Sequence, residues 1–382
     1  MIDCDVLIVG GGPAGSTCAW KLVQAGMNVI VLDKHSFPRQ KVCAGWITPQ
    51  ILSELEITAE DYAKIGIIQP ITRFITGLID GPEIETDYRR VVSYGIRRFE
   101  FDHYLLQRSN ATLCLGEVFQ SLHAGSRRWI VNEKYSAKVV IGAGGHFCPV
   151  ARWLKGHICG NGVTHAVYDE SQSVVVAQEL EFEMSLSQQQ HCSVLADRPE
   201  LYFCHDCQGY GWVFRKGNFL NIGLGRDDEA DLFVHVRDFV RSLVKQNKIP
   251  ADLSDRFHGH AYRLRTELPA VSQNSNILLI GDAAGLADQH SGEGIRPAVE
   301  SGLIAARSMI DATLDRPHEL GTLYQHRLRE WFKVPSPSKS LQWIPPQVQQ
   351  RGARYLMRSR WFARQVLLDR WFLHQSQKPL PG

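Results

Sequence analysis

A glycine-rich turn near the amino terminus is the segment of this sequence whose residue types and spacing point most directly to ligand binding. It reads Gly10-Gly11-Gly12-Pro13-Ala14-Gly15. In a turn of this kind Gly10 permits a tight bend, Gly12 lets the backbone approach a pyrophosphate, and Gly15 lets helix and strand pack closely. The helix that follows such a turn offers unpaired N–H groups and partial positive charge to phosphates. The turn therefore predicts a dinucleotide site.

The elements needed to position this turn are present in the required order. Val6 to Val9 predict a buried strand, Ser16 to Gln24 a helix, and Asn28 to Leu32 a second strand that ends beside Asp33. A carboxylate at that place accepts hydrogen bonds from ribose hydroxyls. We expect Pro13, Ala14 and Lys34 to be further cofactor contacts, although this motif alone does not distinguish FAD from NAD.

A second motif, far downstream, decides between the two cofactors. Ile277 to Ile280 predict a strand that runs into Gly281 and Asp282, and Gly292-Glu293-Gly294 opens a helix at Ile295. A carboxylate at the end of a central strand suits the ribityl chain of FAD, and the positive end of the helix can face the flavin ring, where reduction builds negative charge. We therefore expect non-covalent FAD. Since only one complete GxGxxG is present, NADPH or NADH is expected to bind transiently as the reductant.

Over most of its length the sequence resembles the FAD-binding fold shared by aromatic hydroxylases, flavin halogenases and geranylgeranyl reductases, in which the segment GDAAG…GEGI carries the flavin. The resemblance implies that Arg98 and Gln107, in the segment IRRFEFDHYLLQ, contact the pyrophosphate or ribityl region. One departure concerns Gly144, which is counted among the cofactor contacts. Aromatic hydroxylases carry there an aspartate that helps to hold FAD and the nicotinamide, so their way of holding NADPH is not expected here.

The segment KVCAGW resembles the Lys-x-Cys-Gly-Gly segment that brings a cysteine beside the flavin ring in geranylgeranyl reductases. Lys41, Cys43, Ala44 and Gly45 match it, with Ala44 in place of a glycine. The resemblance implies cofactor contacts for Lys41, Ala44 and Gly45. Cys43 either donates a proton or packs against the ring as an inert small residue, and Trp46 either lines the pocket or belongs to the core.

Residues 201 to 225 predict three antiparallel strands with turns at 206–208 and 216–218. Alternation along the middle strand places Tyr210, Trp212 and Phe214 on one face. These aromatic residues resemble a substrate-side motif of the reductases, which implies that they face the substrate, although plain core packing is the alternative. The pair Cys204 and Cys207 falls in a predicted turn and has no second pair, so no metal site is expected.

These motifs predict an α/β protein with a Rossmann-like FAD-binding domain, an inserted antiparallel β-sheet substrate domain and a C-terminal helical tail. Since the motifs are far apart in sequence, the FAD-binding domain is expected to be discontinuous, with residues 1–68, 96–160 and 264–325. Residues 69–95 and 161–263 would form the substrate domain and residues 326–382 the tail, behind a hinge at 335–338.

Composition and charge exclude several classes of protein. The hydrophobic share of 44% excludes a disordered chain, no apolar stretch is long enough to cross a membrane, and the amino terminus lacks the pattern of a signal peptide. A cytoplasmic protein is therefore expected.

The net charge of +2 predicts no nucleic-acid partner, but it conceals a tail with eleven basic and two acidic residues. That tail, helical from about Pro346, is expected to pack on its own body, to contact a protein partner or substrate, or to lie on a membrane surface.

Several reactions suit such a flavoprotein. The preferred expectation is a monooxygenase that hydroxylates an electron-rich aromatic substrate through a flavin hydroperoxide. The resemblance implies that this substrate is a small molecule or a tryptophan of a partner polypeptide during quinone-cofactor maturation. The first alternative is hydride transfer to a carbon–carbon double bond of a lipid or isoprenoid, with Cys43 as the acid. A flavin-dependent halogenase, for which Lys64 would be the channel lysine, and a non-enzymatic flavin-bound sensor are the others.

Overall fold

The computed structural model describes residues 1–157, 174–228, 231–253, 256–266, 268, 276–312, 317–332 and 346–380. The chain divides into two compact units. Unit 1 comprises residues 1–39, 99–172 and 262–335, and unit 2 comprises residues 40–98, 173–261 and 336–382. The sequence placed residues 40–68 with the FAD-binding domain, whereas here they belong to unit 2, because Trp46–Ile47 pairs with Ser93–Ile96.

The strands within the described ranges are β1 (Ile2–Val9), β2 (Val29–Asp33), β3 (Trp46–Ile47), β4 (Ile68–Ile71), β5 (Arg73–Leu78), β6 (Glu83–Asp87), β7 (Ser93–Ile96), β8 (Thr112–Leu115), β9 (Leu122–Ala124), β10 (Trp129–Val131), β11 (Tyr135–Gly142), β12 (Val174–Glu183), β13 (Glu200–Phe203), β14 (Gly209–Lys216), β15 (Phe219–Arg226), β16 (His258–Arg263) and β17 (Ile277–Leu279).

The helices are α1 (Pro13–Gln24), α2 (Pro49–Glu54), α3 (Ala59–Tyr62), α4 (Arg98–Arg108), α5 (Pro149–His157), α6 (Leu186–Gln190), α7 (Leu232–Lys245), α8 (Ile295–Asp311), α9 (Pro317–Trp331), α10 (Pro346–Leu356) and α11 (Arg360–Phe362). A 3₁₀ turn at Gly281–Ala284 and a π-helix at Ala363–Phe372 complete the helical elements of these ranges.

Unit 1 is built on a mixed sheet whose central strands are parallel. Its order is β8-β2-β1-β11, with β17 parallel to β11 and the hairpin of β10 and β9 antiparallel beside them. The inner strands are apolar runs because both faces are covered. Helices α1 and α8 approach closely at Gly302, where a Cβ atom would lie 2.6 Å from the carbonyl oxygen of Ala14. The predicted Rossmann-like arrangement of strand, turn, helix and strand is confirmed.

Unit 2 contains a seven-stranded sheet in the order β16-β12-β15-β14-β13-β5-β6. The predicted three-strand meander is confirmed, because β14 pairs antiparallel with both β13 and β15. Strand β13 pairs in parallel with β5, which joins the earlier segment to the later one in a single sheet. One face of the sheet packs against α7 through a cluster that includes Val213, Ile222 and Phe239.

The tail covers the other face of this sheet. Its buried residues Met357, Leu367, Leu368 and Phe372 join a cluster with aromatic and aliphatic side chains of β5, β13 and β14. The helix predicted from about Pro346 is confirmed, and the predicted hinge at 335–338 lies outside the described residues. Within the described residues, no helix combines the length and the hydropathy required to cross a bilayer.

Candidate active site

The amino-terminal turn has the geometry of a phosphate cradle. Gly10 has a φ of +119°, and a Cβ atom there would lie 2.3 Å from the carbonyl oxygen of Ala143. At Gly15 a Cβ atom would lie 1.9 Å from the carbonyl oxygen of Gly10, so both positions require glycine. Helix α1 begins at Pro13 behind Gly12, and no side chain caps its amino terminus. Its first N–H groups are therefore available to a phosphate.

Asp33 stands at the end of β2, as predicted. Its Oδ2 atom accepts a hydrogen bond from the Gly11 N–H at 2.8 Å, and its Oδ1 atom accepts one from the His35 N–H at 2.9 Å. These bonds fix the carboxylate and leave lone pairs on both oxygens for ribose hydroxyls. The neighbouring Lys34 is exposed, and no contact of its side chain supports a cofactor role.

A cation that the sequence did not single out lies beside this turn. The Nη2 atom of Arg39 would be 3.5 Å from a Cβ atom at Gly12, and it lies 3.4 Å from the Asp102 carboxylate. A guanidinium next to a phosphate cradle can stabilise a bound pyrophosphate. No local pattern predicted Arg39, because it belongs to a loop that returns to the turn only in the folded chain.

The second motif also forms one local site. The 3₁₀ turn after β17 carries Asp282, whose Oδ1 atom would be 3.2 Å from a Cβ atom at Gly294. Gly294 precedes α8, which begins at Ile295 and has no side-chain cap. Gly281 and Gly292 have φ values of +61° and +68°, which glycine tolerates best. A carboxylate beside an uncapped helix start, in the same unit as the phosphate cradle, fits FAD.

Two of the residues implied by resemblance do not come together. Arg98 is buried at the start of α4, whereas Gln107 is exposed on the same helix. Since nine residues correspond to two and a half turns, the two side chains leave the helix on opposite sides.

At Gly144 a Cβ atom would lie 3.2 Å from Cys148 Cα and from Pro149 Cδ. The aspartate of the hydroxylases would therefore require this loop to shift.

The segment that contains Cys43 is held firmly inside unit 2. Gly45 has a φ of +66°, and a Cβ atom there would lie 2.0 Å from the Ile96 carbonyl oxygen and 2.6 Å from Lys216 Nζ. The Cys43 N–H donates to Glu179 Oε2 at 2.5 Å, and the Cys43 carbonyl oxygen accepts from Asn221 Nδ2 at 3.3 Å. Cys43 and Ala44 keep partial exposure, and Lys41 Nζ lies 2.6 Å from His260 Nε2.

Beneath this segment is a buried group of charged side chains on β12 and β14. Lys216 Nζ lies 2.8 Å from Glu181 Oε1 and is almost fully buried, and Arg97 Nε lies 3.4 Å from Glu181 Oε2. Burial alone would raise the pKa of Glu181, but Lys216 and Arg97 outweigh it and hold that pKa below its usual range. Glu181 is therefore a carboxylate at neutral pH.

Glu179 behaves in the opposite way. Burial raises the pKa of Glu179 to about 8, although nearby Lys216 lowers it in part. Its cross-strand partner is Gly223, which in turn pairs with Trp212, so Glu179 shares a sheet face with the aromatic residues of β14. Glu179 therefore keeps its proton at neutral pH. The sequence did not single it out, because in an alternating strand it has the pattern of a solvated residue.

The three aromatic residues of β14 lie on one face, as predicted, but the tail and Trp46 cover most of them. Phe214 and Trp212 are 1% and 7% exposed, and the Trp212 indole N–H donates to Asn221 Oδ1 at 2.7 Å. Trp46 stacks on Phe372 of the tail with ring centroids 5.2 Å apart. Tyr210 alone of the three keeps partial exposure, so it is the one best placed to touch a ligand.

Two other interpretations find little support in the described part of the chain. Lys64, the lysine considered for a halogenase channel, is largely exposed and lies 2.7 Å from Asp61 Oδ1. Cys204 is buried and Cys207 lies in the turn before β14. Among the described residues, no group of three or more His, Cys, Asp or Glu side chains is arranged to hold a metal ion.

Comparison with protein families agrees with the geometry of the amino-terminal turn. Residues 5–102 match the family model of FAD-dependent oxidoreductases. Digeranylgeranylglycerophospholipid reductase 1 of Methanopyrus kandleri is 28% identical over 353 residues, which cover 87% of this chain and 88% of the relative. The menaquinone reductase of Mycobacterium tuberculosis is 27% identical over 357 residues, which cover 82% of this chain and 78% of the relative.

Solved structures share the fold. A geranylgeranyl bacteriochlorophyll reductase-like protein of Thermoplasma acidophilum superposes with a TM-score of 0.73 at 20% identity, covering 94% of this chain and 88% of that one. PqsL of Pseudomonas aeruginosa, described as a probable FAD-dependent monooxygenase, gives a TM-score of 0.62 at 16% identity, covering 92% of this chain and 99% of that one. The fold is therefore shared with a reductase-like protein and with a probable FAD-dependent monooxygenase.

Proposed function

We propose that this FAD-dependent oxidoreductase, which is similar to a digeranylgeranylglycerophospholipid reductase, reduces a carbon–carbon double bond of an isoprenoid or lipid substrate. The observation that carries this proposal is Glu179, a buried carboxylic acid with a pKa raised to about 8. Reduction of a double bond requires a hydride at one carbon and a proton at the other. A buried acid that is protonated at neutral pH is suited to give that proton.

Reduced FAD, when bound, supplies the hydride. Glu179 supplies the proton to the second carbon, becomes a carboxylate, and recovers a proton from solvent. Next to Glu179, Glu181 and Lys216 form an ion pair whose opposite charges offset each other. The Cys43 N–H and the Asn221 amide hold the acid and the loop above it in register. From the sequence, Cys43 is either a proton donor or an inert small residue beside the ring, and the experiment below separates Cys43 from Glu179.

The relatives support the substrate class. Two of them are named as reductases, one of a digeranylgeranylglycerophospholipid and one of menaquinone. The sheet face that carries Glu179 also carries the buried polar side chains of Glu181, Lys216 and Asn221. Beside them lies a cluster of apolar and aromatic side chains on β5, β13 and β14, which suits a hydrocarbon chain better than a charged metabolite. We propose NADPH or NADH as the electron donor, bound only transiently.

A second candidate is the hydroxylation of an electron-rich aromatic ring, either in a small molecule or in a tryptophan of a partner polypeptide. The observation in its favour is the group of rings formed by Trp46, Phe214 and Phe372, with centroids 5.2 to 5.7 Å apart. Phe214 and Phe372 are buried, whereas Trp46 keeps partial exposure, and its indole ring can offer stacking and edge contacts to a planar substrate. This reaction consumes oxygen, whereas reduction of a double bond does not.

The test is turnover of the flavin-loaded enzyme with NADPH and geranylgeranyl diphosphate in the absence of oxygen. We expect a product heavier by two hydrogens per reduced bond, one of which comes from deuterated solvent. Oxygen consumption coupled to a hydroxylated aromatic product, with the polyprenyl probe unchanged, would overturn the reductase assignment.

Three variants identify the side chain that donates the proton. Loss of a general acid typically slows catalysis by about 100-fold or more, so Glu179→Gln should lower kcat to that extent and remove the decline in activity above about pH 8. Glu183→Gln changes an exposed carboxyl on the same strand and serves as the control. If Cys43→Ala reproduces the loss and Glu179→Gln does not, the thiol is the donor.

A further inference from the structure

The junction between α10 and α11 differs from the rest of the surface. Helix α10 ends at Leu356, and α11 begins at Arg360 after Ser359, whose hydroxyl accepts a hydrogen bond from the Phe362 N–H at 3.4 Å. Three large apolar side chains are exposed within seven residues: Tyr355 at 77%, Leu356 at 44% and Trp361 at 66%. Clustered exposure of this kind marks an interaction surface, whereas isolated exposed residues do not.

The same junction is strongly basic. Arg358 and Arg360 are exposed between the aromatic residues, and the sequence contains no acidic residue between Glu330 and Asp369. Asp369 itself accepts a hydrogen bond from the Tyr88 hydroxyl at 2.6 Å. We define the basic corner as Tyr355, Leu356, Arg358, Arg360 and Trp361. It carries positive charge without local compensation from its own segment.

The buried side of this segment fixes the corner in place. Met357, between the two exposed groups, is 8% exposed and packs in the cluster under the tail. Ala363 and Leu367 continue that buried side. The corner is therefore presented outward from unit 2 by a helical segment whose other side is part of the core, and it needs no further folding to present its aromatic residues.

We propose that the basic corner binds an anionic membrane surface. Tryptophan and tyrosine favour the interface between water and lipid, and arginine can keep its charge at the headgroups while its stem lies in apolar surroundings. Tryptophan, tyrosine and arginine are also enriched in protein–protein interfaces, but a standard interface uses about 20–30 residues on each side, far more than this corner provides.

This inference goes beyond the proposed reaction and is independent of it, because binding is measured without turnover. The full-length, FAD-loaded protein is mixed with vesicles of phosphatidylcholine alone or with added phosphatidylglycerol, and bound protein is separated by flotation. We expect binding to the anionic vesicles, little binding to the neutral ones, and loss of binding at high salt, since surface charges are then screened.

Two double variants test the corner itself. Each arginine near an anionic surface contributes about fivefold to binding, so R358Q with R360Q should weaken it by roughly 25-fold, and Tyr355→Ser with Trp361→Ser should also weaken it. The control variants Phe233→Ser and Arg241→Gln change exposed residues elsewhere, and they should bind as the parent does. Phe233 is 62% exposed, and the side chain of Arg241 is 69% exposed. FAD content and melting temperature confirm folding in every variant.

Two results would overturn the proposal. One is the absence of binding to anionic vesicles, which would leave a polypeptide partner as the occupant of the corner. The other is vesicle binding that both double variants retain at full strength, which would place the membrane contact elsewhere on the protein.

Discussion

Among single residues, Asp282 carries the most direct consequence for cofactor binding. Its carboxylate lies at the uncapped start of α8, where the ribityl hydroxyls of FAD would donate to it. A hydrogen bond to a charged group contributes about 1.5–3 kcal/mol, so Asp282→Ala should bind FAD about 10- to 100-fold more weakly. Flavin absorbance after gel filtration measures this. Asp238→Ala, a change at an exposed position, is the control, and a fully flavinated Asp282→Ala protein would contradict the assignment.

Glu179 makes a prediction about stability as well as catalysis. Its pKa is raised to about 8 in the folded protein from about 4.3 in an unfolded chain. Between these values the folded state binds more protons than the unfolded state, so the free energy of unfolding decreases as pH rises through this window. Glu179→Gln should lose this decrease. Urea denaturation at about pH 5 and about pH 8.5 measures it, and Glu183→Gln should behave as the parent protein does.

The difference between Asp282 and Glu179 shows which residues a sequence reveals. Asp282 lies next to its strand and near its helix in the chain, so a local pattern identified it. Glu179 owes its shifted pKa to burial beneath Cys43, which is 136 residues away in sequence. Nothing in the residues around Glu179 predicts that cover. Arg39 was missed for the same reason, since its approach to Gly12 is a property of the folded loop.

At the scale of elements, the turn through Gly45 positions the Cys43 segment on the sheet. A side chain there would meet the Ile96 carbonyl oxygen, and the backbone has positive φ. Gly45→Ala should therefore destabilise the protein by more than the roughly 1–2 kcal/mol that positive φ alone costs. Gly217→Ala isolates that smaller cost, because Gly217 has a φ of +60° and a Cβ atom there would have no neighbour within 4 Å. If Gly45→Ala and Gly217→Ala lower the free energy of unfolding by the same amount in urea denaturation, the contact with Ile96 is unimportant.

Elements with short-range patterns were predicted well, and those that depend on distant pairing were not. The meander of β13, β14 and β15 follows from alternation and turn residues, and α10 follows from an amphipathic pattern after two prolines. The assignment of residues 40–68 to unit 2 depends on pairing of β3 and β4 with β7. The burial of Trp212 and Phe214 depends on the tail, which follows them by more than a hundred residues.

For the whole molecule, the tail is part of the core of unit 2. A chain that ends at residue 335 would lack Met357, Leu367, Leu368 and Phe372 and would uncover the apolar face of the sheet. We expect this truncated protein to bind a hydrophobic dye, to melt at a lower temperature and to aggregate. The full-length protein with Tyr355→Ser and Trp361→Ser, which changes only exposed side chains, is the control. If truncation left the melting temperature and the flavin content unchanged, the tail would not be part of the core of unit 2.

The position of the tail in the sequence has a consequence for biosynthesis. The residues that cover the sheet of unit 2 are 357–373, whereas the sheet itself is complete in sequence at His258–Arg263. A ribosome therefore exposes the strands, with their aromatic face uncovered, before the segment that protects them has been made. During that interval Trp212 and Phe214 lack the cover of the tail, so we expect aggregation during synthesis to be the main risk at this face.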